Sequence, residues 1–444
     1  MTSTLDQLAD LVARAKRAGA DAADAIRIDG TSLSLSWRLG SLEDVERAEG
    51  ADLGLRVFVG QRQAIVSTND LGRKAEDELI ARAVAMAKIA PEDPYVGLAE
   101  RALLATSLPD LDLEDKAEPS TERLAALARE AEDAARAVSG VTNSEGGGGS
   151  WSRYAVAFAT SDGYAGTYAG TSWSVSASVI AGEGTAMERD YDFSSARHGG
   201  DLDGSATIGR RAGEKAVARL GPRKIASAAV PVVFDPRVSN SLLGHFAGAI
   251  SGTAVARGTS FLKDRMGQAV FAPGISIVDD PHRRRGLRSK PVDAEGVANR
   301  KTALIEDGQL KTWLLDTASA RQLKLRSTGH ASRGIASPPG PSATNLYLAP
   351  GTQSPAALMA DIAEGLYVTE LIGFGVNGVT GDYSRGAAGF RIRNGKLDHP
   401  VSEVTIAGNL KDMFRALRPA NDLVFRYGTD APTLRVDGMT VAGQ

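Results

Sequence analysis

Apolar residues recur at helical spacing where the chain opens: Leu5, Leu8, Leu11, Val12 and Ala15, with Gly19 closing the run. That period predicts an amphipathic helix with one buried stripe. Alternating stretches replace it at Ser32–Trp37 and at Gly54–Ser67, the latter bending at Gly60, and predict half-buried strands. A second helical period runs from about Arg73 to Ile89 and stops ahead of Pro91 and Pro94, because a proline ring disfavours helix in the residue before it. Helix, strands and helix together predict a small N-terminal α/β domain over residues 1–108.

Residues 109–224 read differently. Pro109 to Pro119 is acidic and flanked by prolines, the composition of a linker. Ser120 is placed to cap an alanine-rich helix that ends before Gly140. Ser144 to Ser150 contains four consecutive glycines and reads as a flexible loop. Ser152–Thr160 and Gly163–Ile180 are apolar on alternate positions, with Ser, Thr and Tyr between, which predicts a large antiparallel sheet with one wet face. A helix follows from Ala206 to Leu220. Residues 225–444 predict a mostly β C-terminal domain with a few helices. Strands are expected at Val230–Phe234, Ala303–Ile305, Thr312–Leu315, Asn345–Leu348 and Thr433–Val436, and helices at Val238–Ile250 and near Ala356–Glu364. The class is therefore α+β in three domains, since one core rarely grows past roughly 250–300 residues.

The stretch from Leu371 to Leu410 concentrates glycine at 373, 375, 378, 381, 386, 389 and 395. Its second half is a β-hairpin: Phe390–Arg393 alternates, Asn394-Gly395 supplies a type I′ turn, and the chain returns from Val401 to Ile406. Its first half lacks a Gly-Lys-Ser/Thr ending and opens no helix, which excludes a phosphate loop.

Composition narrows the chemistry. A formal charge of −3 disfavours an electrostatic nucleic-acid binder, and the absence of cysteine removes thiolate nucleophiles and thiolate metal ligands. No window reaches the ~18 apolar residues of a membrane span, and the start lacks a signal pattern, so a cytoplasmic protein is expected. None of the five histidines has another at i+3 to i+5, so no local helical two-histidine metal site exists. His282-Arg283-Arg284-Arg285 resembles an anion patch, but Asp279, Asp280, Asp293 and Glu295 are interleaved, which favours a solvated loop or internal salt bridges over binding of an acidic partner. Asp382 and Ser384 have no histidine near in sequence and read as turn formers.

Several segments nevertheless carry a resemblance: Gly258-Thr-Ser260, Pro291-Val-Asp-Ala-Glu-Gly-Val297, Ser327-Thr-Gly-His-Ala-Ser-Arg333, Gly375-Val-Asn-Gly-Val-Thr-Gly-Asp-Tyr-Ser-Arg-Gly386 and Val404-Thr-Ile-Ala-Gly-Asn-Leu410. In order and over nearly the whole chain, they resemble the TldD/PmbA family, also called modulators of DNA gyrase. The resemblance implies two branches pairing as a heterodimer, one being a zinc peptidase with a His-Glu-x-x-x-His helix and a later cysteine ligand. Aligned on Gly258-Thr259-Ser260, the positions of that motif hold Leu243, Gly244 and Gly248. The chain thus resembles the PmbA/TldE branch, with no metal or cofactor of its own and zinc expected in a TldD-like partner. The expected substrates are unfolded or extended peptides, in leader removal or small-protein turnover, with a homodimer possible in isolation and neither membrane nor nucleic acid contacted. His245, Gly248, Asn377, Asp382 and Arg385 are the residues expected to face partner or peptide. Two alternatives stay open: a self-sufficient peptidase with a long-range site drawn from His245, His330 and Asp382, or a binding module acting on DNA gyrase.

Overall fold

The computed structural model describes residues 3–444. Helix α1 (Thr4–Arg17) lies where the apolar period places it, with Leu8, Leu11 and Ala15 fully buried. Ser3 caps it by accepting the Asp6 N–H at 3.1 Å. Strands β1 (Ala22–Arg38), β2 (Ser41–Val59) and β3 (Arg62–Thr68) follow, then α2 (Arg73–Ile89). The strands outrun the alternation that predicted them because the β1–β2 ribbon continues beyond the core, and residues 41–50 are exposed throughout. Without a buried face, those residues need not alternate.

Next come α3 (Thr121–Arg136), β4 (Val141–Thr160), β5 (Ala165–Ala181), β6 (Glu188–Ala196) and α4 (Ser205–Ala218). All six strands form one antiparallel sheet in the order β3-β2-β1-β4-β5-β6. Strand β1 pairs with β4 from Asp24–Thr160 to Trp37–Gly147. Residues 1–108 therefore supply half of a sheet that residues 109–224 complete. Odd-numbered residues of β1 and β4, such as Ala23, Leu33, Leu35 and Trp151, pack under the four helices.

Two expectations need correction here. The tetraglycine stretch is not a loop but the first half of β4, crossed closely by α3. A Cβ on Gly147 would sit 2.1 Å from the Ala128 carbonyl oxygen, and one on Gly149 would sit 2.8 Å from that of Leu124. Only glycine lets helix backbone and strand backbone approach so far. The acidic segment after Pro109 is likewise no free linker. Leu111 and Leu113 are buried, and the Leu113 carbonyl accepts the Thr171 N–H at 2.9 Å.

The rest of the chain is built on β7 (Ala228–Phe234), α5 (Pro236–Ala249), β8 (Glu364–Ile372), β9 (Asp382–Arg393), β10 (Lys396–Asn409) and β11 (Leu434–Ala442). These strands run in the order β10-β9-β8-β7-β11, and pairing of Thr405–Ala407 with Thr440–Ala442 closes them into a barrel. The predicted hairpin is β9–β10, with Asn394 and Gly395 both left-handed at φ 49° and 76°. A smaller sheet of short strands, including Ile277–Asp279 and Thr302–Glu306, packs beside it. Thr312–Leu315 is not a strand. Its Leu314 bonds instead to Ile250 and Gly252 at the end of α5, where Trp313, Leu314 and Leu315 fill the core. The fold is mixed α+β, and no helix among the described residues is long and apolar enough to cross a membrane.

The two halves meet along a dry seam on the helix-free face of the large sheet. Asp24 accepts from Arg56 Nε at 2.7 Å and from Arg333 Nη1 at 2.6 Å, with all three side chains buried. Gly54 lies against the other half so closely that a Cβ would be 2.3 Å from the Ile335 carbonyl oxygen. Ile26, Phe158, Tyr164 and Val292 form an apolar cluster beside it. The buried carboxyls of Asp293 and Glu295 both lie above the ordinary carboxylate range, because burial disfavours their charge and, for Asp293, the charge of Glu295 adds to it.

Candidate functional site

Helix α5 begins at Asp235, whose side chain accepts the Arg237 N–H at 2.9 Å, with Pro236 at its first position. Its apolar stripe, Val238, Leu242, Leu243, Phe246 and Ala249, is buried in the core. The opposite face is bare. Gly244 and Gly248 are exposed, and a Cβ on either would meet nothing within 4 Å. Glycine inside a helix is unfavourable by about 1 kcal/mol relative to alanine, so open space alone does not account for two of them.

Beside this face lies a cavity of about 600 Å³, walled by β6, α5, β8 and β9. Its arginines differ sharply in their partners. Arg237 pairs with Asp190 at 2.9 Å, and Arg219 pairs with Glu370 at 2.6 Å and Glu188 at 3.2 Å. Arg189 reaches Glu145 at 3.0 Å. Arg385 makes no ion pair among the described residues; its Nε donates to the Ile372 carbonyl at 3.3 Å. Strand alternation puts Tyr383 and Arg385 on one face of β9. Tyr383 is 2% exposed, and its hydroxyl has no hydrogen-bond partner. His245, one turn of α5 beyond the cavity-lining Ser241, meets the Tyr383 ring edge-on with centroids 6.0 Å apart, and its Nε2 is also unpartnered. Burial and then the charge of Arg385 hold His245 below the usual histidine range. It is neutral at pH 7.

The glycine-rich loop after β8 leads into Arg385 and is tied down by backbone hydrogen bonds. Ser384 N–H bonds the Gly375 carbonyl at 2.6 Å, and Phe261 N–H bonds that of Gly378 at 3.0 Å. A Cβ on Gly375 would lie 2.1 Å from the Ser384 carbonyl oxygen, so this glycine serves close approach. The loop presents Phe374 at 97% exposure, flanked by exposed Ile372 and Val379.

The residues singled out in the sequence divide accordingly. His245, Gly248 and Arg385 lie along the α5 groove. Asn377 and Asp382 are turn residues: the Asn377 side chain accepts the Val379 N–H at 2.9 Å, and Asp382 accepts from Thr380 Oγ1 at 2.6 Å and Asn409 Nδ2 at 3.0 Å. Those bonds hold the Asp382 carboxyl below the usual carboxylate range. His330 is buried elsewhere, between Asp279 at 3.3 Å and Thr328 at 2.8 Å. His330 and Asp382 thus have separate partners, neither of them His245. Of the arginines after His282, Arg284 and Arg285 pair with Asp112 at 2.8 and 2.6 Å, and Arg283 lies over the Phe425 ring at 3.4 Å. Tyr383 and the Asp190–Arg237–Arg219 wall went unnoticed in the sequence, although the alternation of Tyr383 and Arg385 would have grouped them.

A zinc site of the kind the resemblance implies needs two imidazoles and a carboxylate on α5. Leu243 is 1% exposed in the core, and Gly244 and Gly248 carry no donor, so these residues do not fit a zinc ion. No group of three metal-binding side chains occurs among the described residues.

Comparison with known proteins agrees with the fold and the motifs. Three domain profiles match in order: the PmbA/TldA metallopeptidase domain 1 at residues 23–87, its central domain at 108–220 and its C-terminal domain at 227–443. Metalloprotease PmbA of Escherichia coli O157:H7 is 40% identical over 417 residues, covering 93% of this chain and 90% of that protein. A crystal structure from Bacteroides thetaiotaomicron, named as a candidate modulator of DNA gyrase, superposes with a TM-score of 0.91 at 26% identity, covering 100% of both chains. TldE from Thermococcus kodakarensis shares the fold, with a TM-score of 0.84 at 21% identity over 98% of this chain and 100% of that one. The chain belongs to the PmbA/TldD metallopeptidase family.

Proposed function

We propose that this chain is the non-catalytic subunit of a two-chain zinc peptidase that acts on unfolded or extended peptides. The observation that carries the reading is the outer face of α5, where Leu243 is turned into the core and Gly244 and Gly248 leave bare backbone. A helix without ligands or a general base cannot polarise water, so zinc belongs to a TldD-type partner. The same bare face, with the loop that presents Phe374 to solvent, suits docking of that partner, since an exposed aromatic is an anchor in search of a pocket. This chain then forms one wall of the chamber, and the exposed backbone of edge strands offers sequence-tolerant contact to an extended peptide.

The test is co-expression with the TldD-type subunit of the same genome. The two chains are expected to co-purify, to cleave an unfolded peptide only together, and to stop when a chelator is added. Gly248→Trp is expected to reduce co-purification while leaving the melting temperature of the single chain within a few degrees. Stoichiometric zinc in this chain alone, or chelator-sensitive cleavage by it, would overturn the reading.

A further inference from the structure

Two buried polar atoms beside the α5 groove have no hydrogen-bond partner, and Arg385, which donates to the Ile372 carbonyl and lies over the Phe374 ring at 6.0 Å, has no ion pair among the described residues. Tyr383 is buried with its hydroxyl unbonded, His245 keeps Nε2 buried and unbonded, and Arg385 carries a charge that no carboxylate answers. Buried polar groups are nearly always satisfied, because leaving one bare costs about 1–3 kcal/mol. The three are neighbours: Arg385 lines the 600 Å³ cavity, while Tyr383, two residues earlier on the same face of β9, and His245, whose ring meets the Tyr383 ring edge-on, keep their polar atoms buried and do not line the cavity themselves.

We propose that this corner of the groove binds the carboxylate of a peptide, with Arg385, Tyr383 and His245 as its donors. The guanidinium supplies the charge and a fork that matches two carboxylate oxygens. The tyrosine hydroxyl donates, and neutral His245 donates from Nε2 in its Nε2–H form. The neighbouring arginines do not compete, because Arg219 and Arg237 are held by Glu188, Asp190 and Glu370. Those carboxylates also form an acidic wall that confines an incoming anion to the Arg385 end. That a carboxylate binds rests on these groups; that a peptide carries it rests on the proposed function above.

The experiment uses the full chain and fluorescence anisotropy with three labelled, unstructured decapeptides. One has neutral side chains and a free C-terminus, the second is the same peptide amidated, and the third is amidated with one internal glutamate. The free peptide is expected to bind at least about tenfold more tightly than the amidated one, in line with a charge-assisted contact. If the glutamate peptide matches the free one, the site takes side-chain carboxylates; if it stays weak, the site takes the C-terminus. Arg385→Gln should bring all three to one weak affinity. Tyr383→Phe should weaken the carboxylate-bearing peptides several-fold at unchanged melting temperature, since its hydroxyl bonds nothing within the fold. Equal or absent binding of the three peptides by the native chain, or discrimination that survives Arg385→Gln, would overturn the site. Failure to assemble with a TldD-type subunit would instead sink the proposed function and leave these affinities as they are.

Discussion

The two halves of the molecule face each other in two places, and the two are built on opposite lines. At the seam, Gly54 lies under the Ile335 carbonyl, Asp24 is shared by Arg56 and Arg333, and apolar side chains close the remainder. At the α5 groove, Gly244 and Gly248 border empty space, Arg385 is unpaired, and the hydroxyl of Tyr383 is unbonded. Glycine at the seam permits contact within the chain; glycine on α5 leaves a surface bare. The seam is finished by this chain, and the groove is left open by it.

Removing one buried partner at the seam should have the largest effect. Arg56→Met leaves Asp24 with a single guanidinium and should lower stability by about 3–5 kcal/mol, measured by denaturant unfolding. The same change at the unpaired Arg385 should leave stability nearly untouched, and equal losses at both would erase the contrast.

Acidity offers a second probe. Asp293 is pushed up to about 8, and Glu295 is raised with it, so the folded chain holds a proton that the unfolded chain has released. Stability should therefore fall as pH rises from the ordinary carboxylate range toward about 8, by at most about 1.4 kcal/mol per unit for each proton. Asp24 has the opposite sign: its pKa is lowered by Arg56 and Arg333 against the cost of burial, and its contribution disappears as pH falls. Glu295→Gln can still accept the Thr317 N–H and should flatten the decline in melting temperature between pH 5 and pH 8. An unchanged slope would place the titration elsewhere.

Crowding the seam comes next. Gly54→Val drives a side chain into the Ile335 carbonyl and should cost about 1–3 kcal/mol in thermal or denaturant unfolding. The smallest change has the reverse sign. Gly244→Ala enters open space in the middle of a helix and should raise the stability of the isolated chain by about 0.5–1 kcal/mol. A loss there would mean that the α5 face is covered within the chain itself.

Much of this architecture was legible from local pattern. The period of Leu8, Leu11 and Ala15, the prolines after Ile89, Ser120 as a cap and Asn394-Gly395 as a turn each act over a few residues, and each element formed where they place it. The motif positions at Leu243, Gly244 and Gly248 came from the family resemblance, anchored on Gly258-Thr259-Ser260; that leucine and glycine offer no metal donor follows from residue type. The tetraglycine strand was not, since glycine favours loops unless another backbone presses on it, and α3 presses from outside the segment.

The sequence by itself determined the long helices and the hairpin, because short-range sterics suffice for each; the helix expected near Ala356–Glu364 instead ends at Met359, and Glu364 opens β8. The tertiary structure alone decided that residues 1–108 and 109–224 share one sheet, since strand pairing between Asp24 and Thr160 joins positions far apart in the chain. It alone decided which arginines are neutralised. Arg237 finds Asp190 and Arg385 finds no acid among the described residues, and charge in a sequence carries no address until folding fixes the distances.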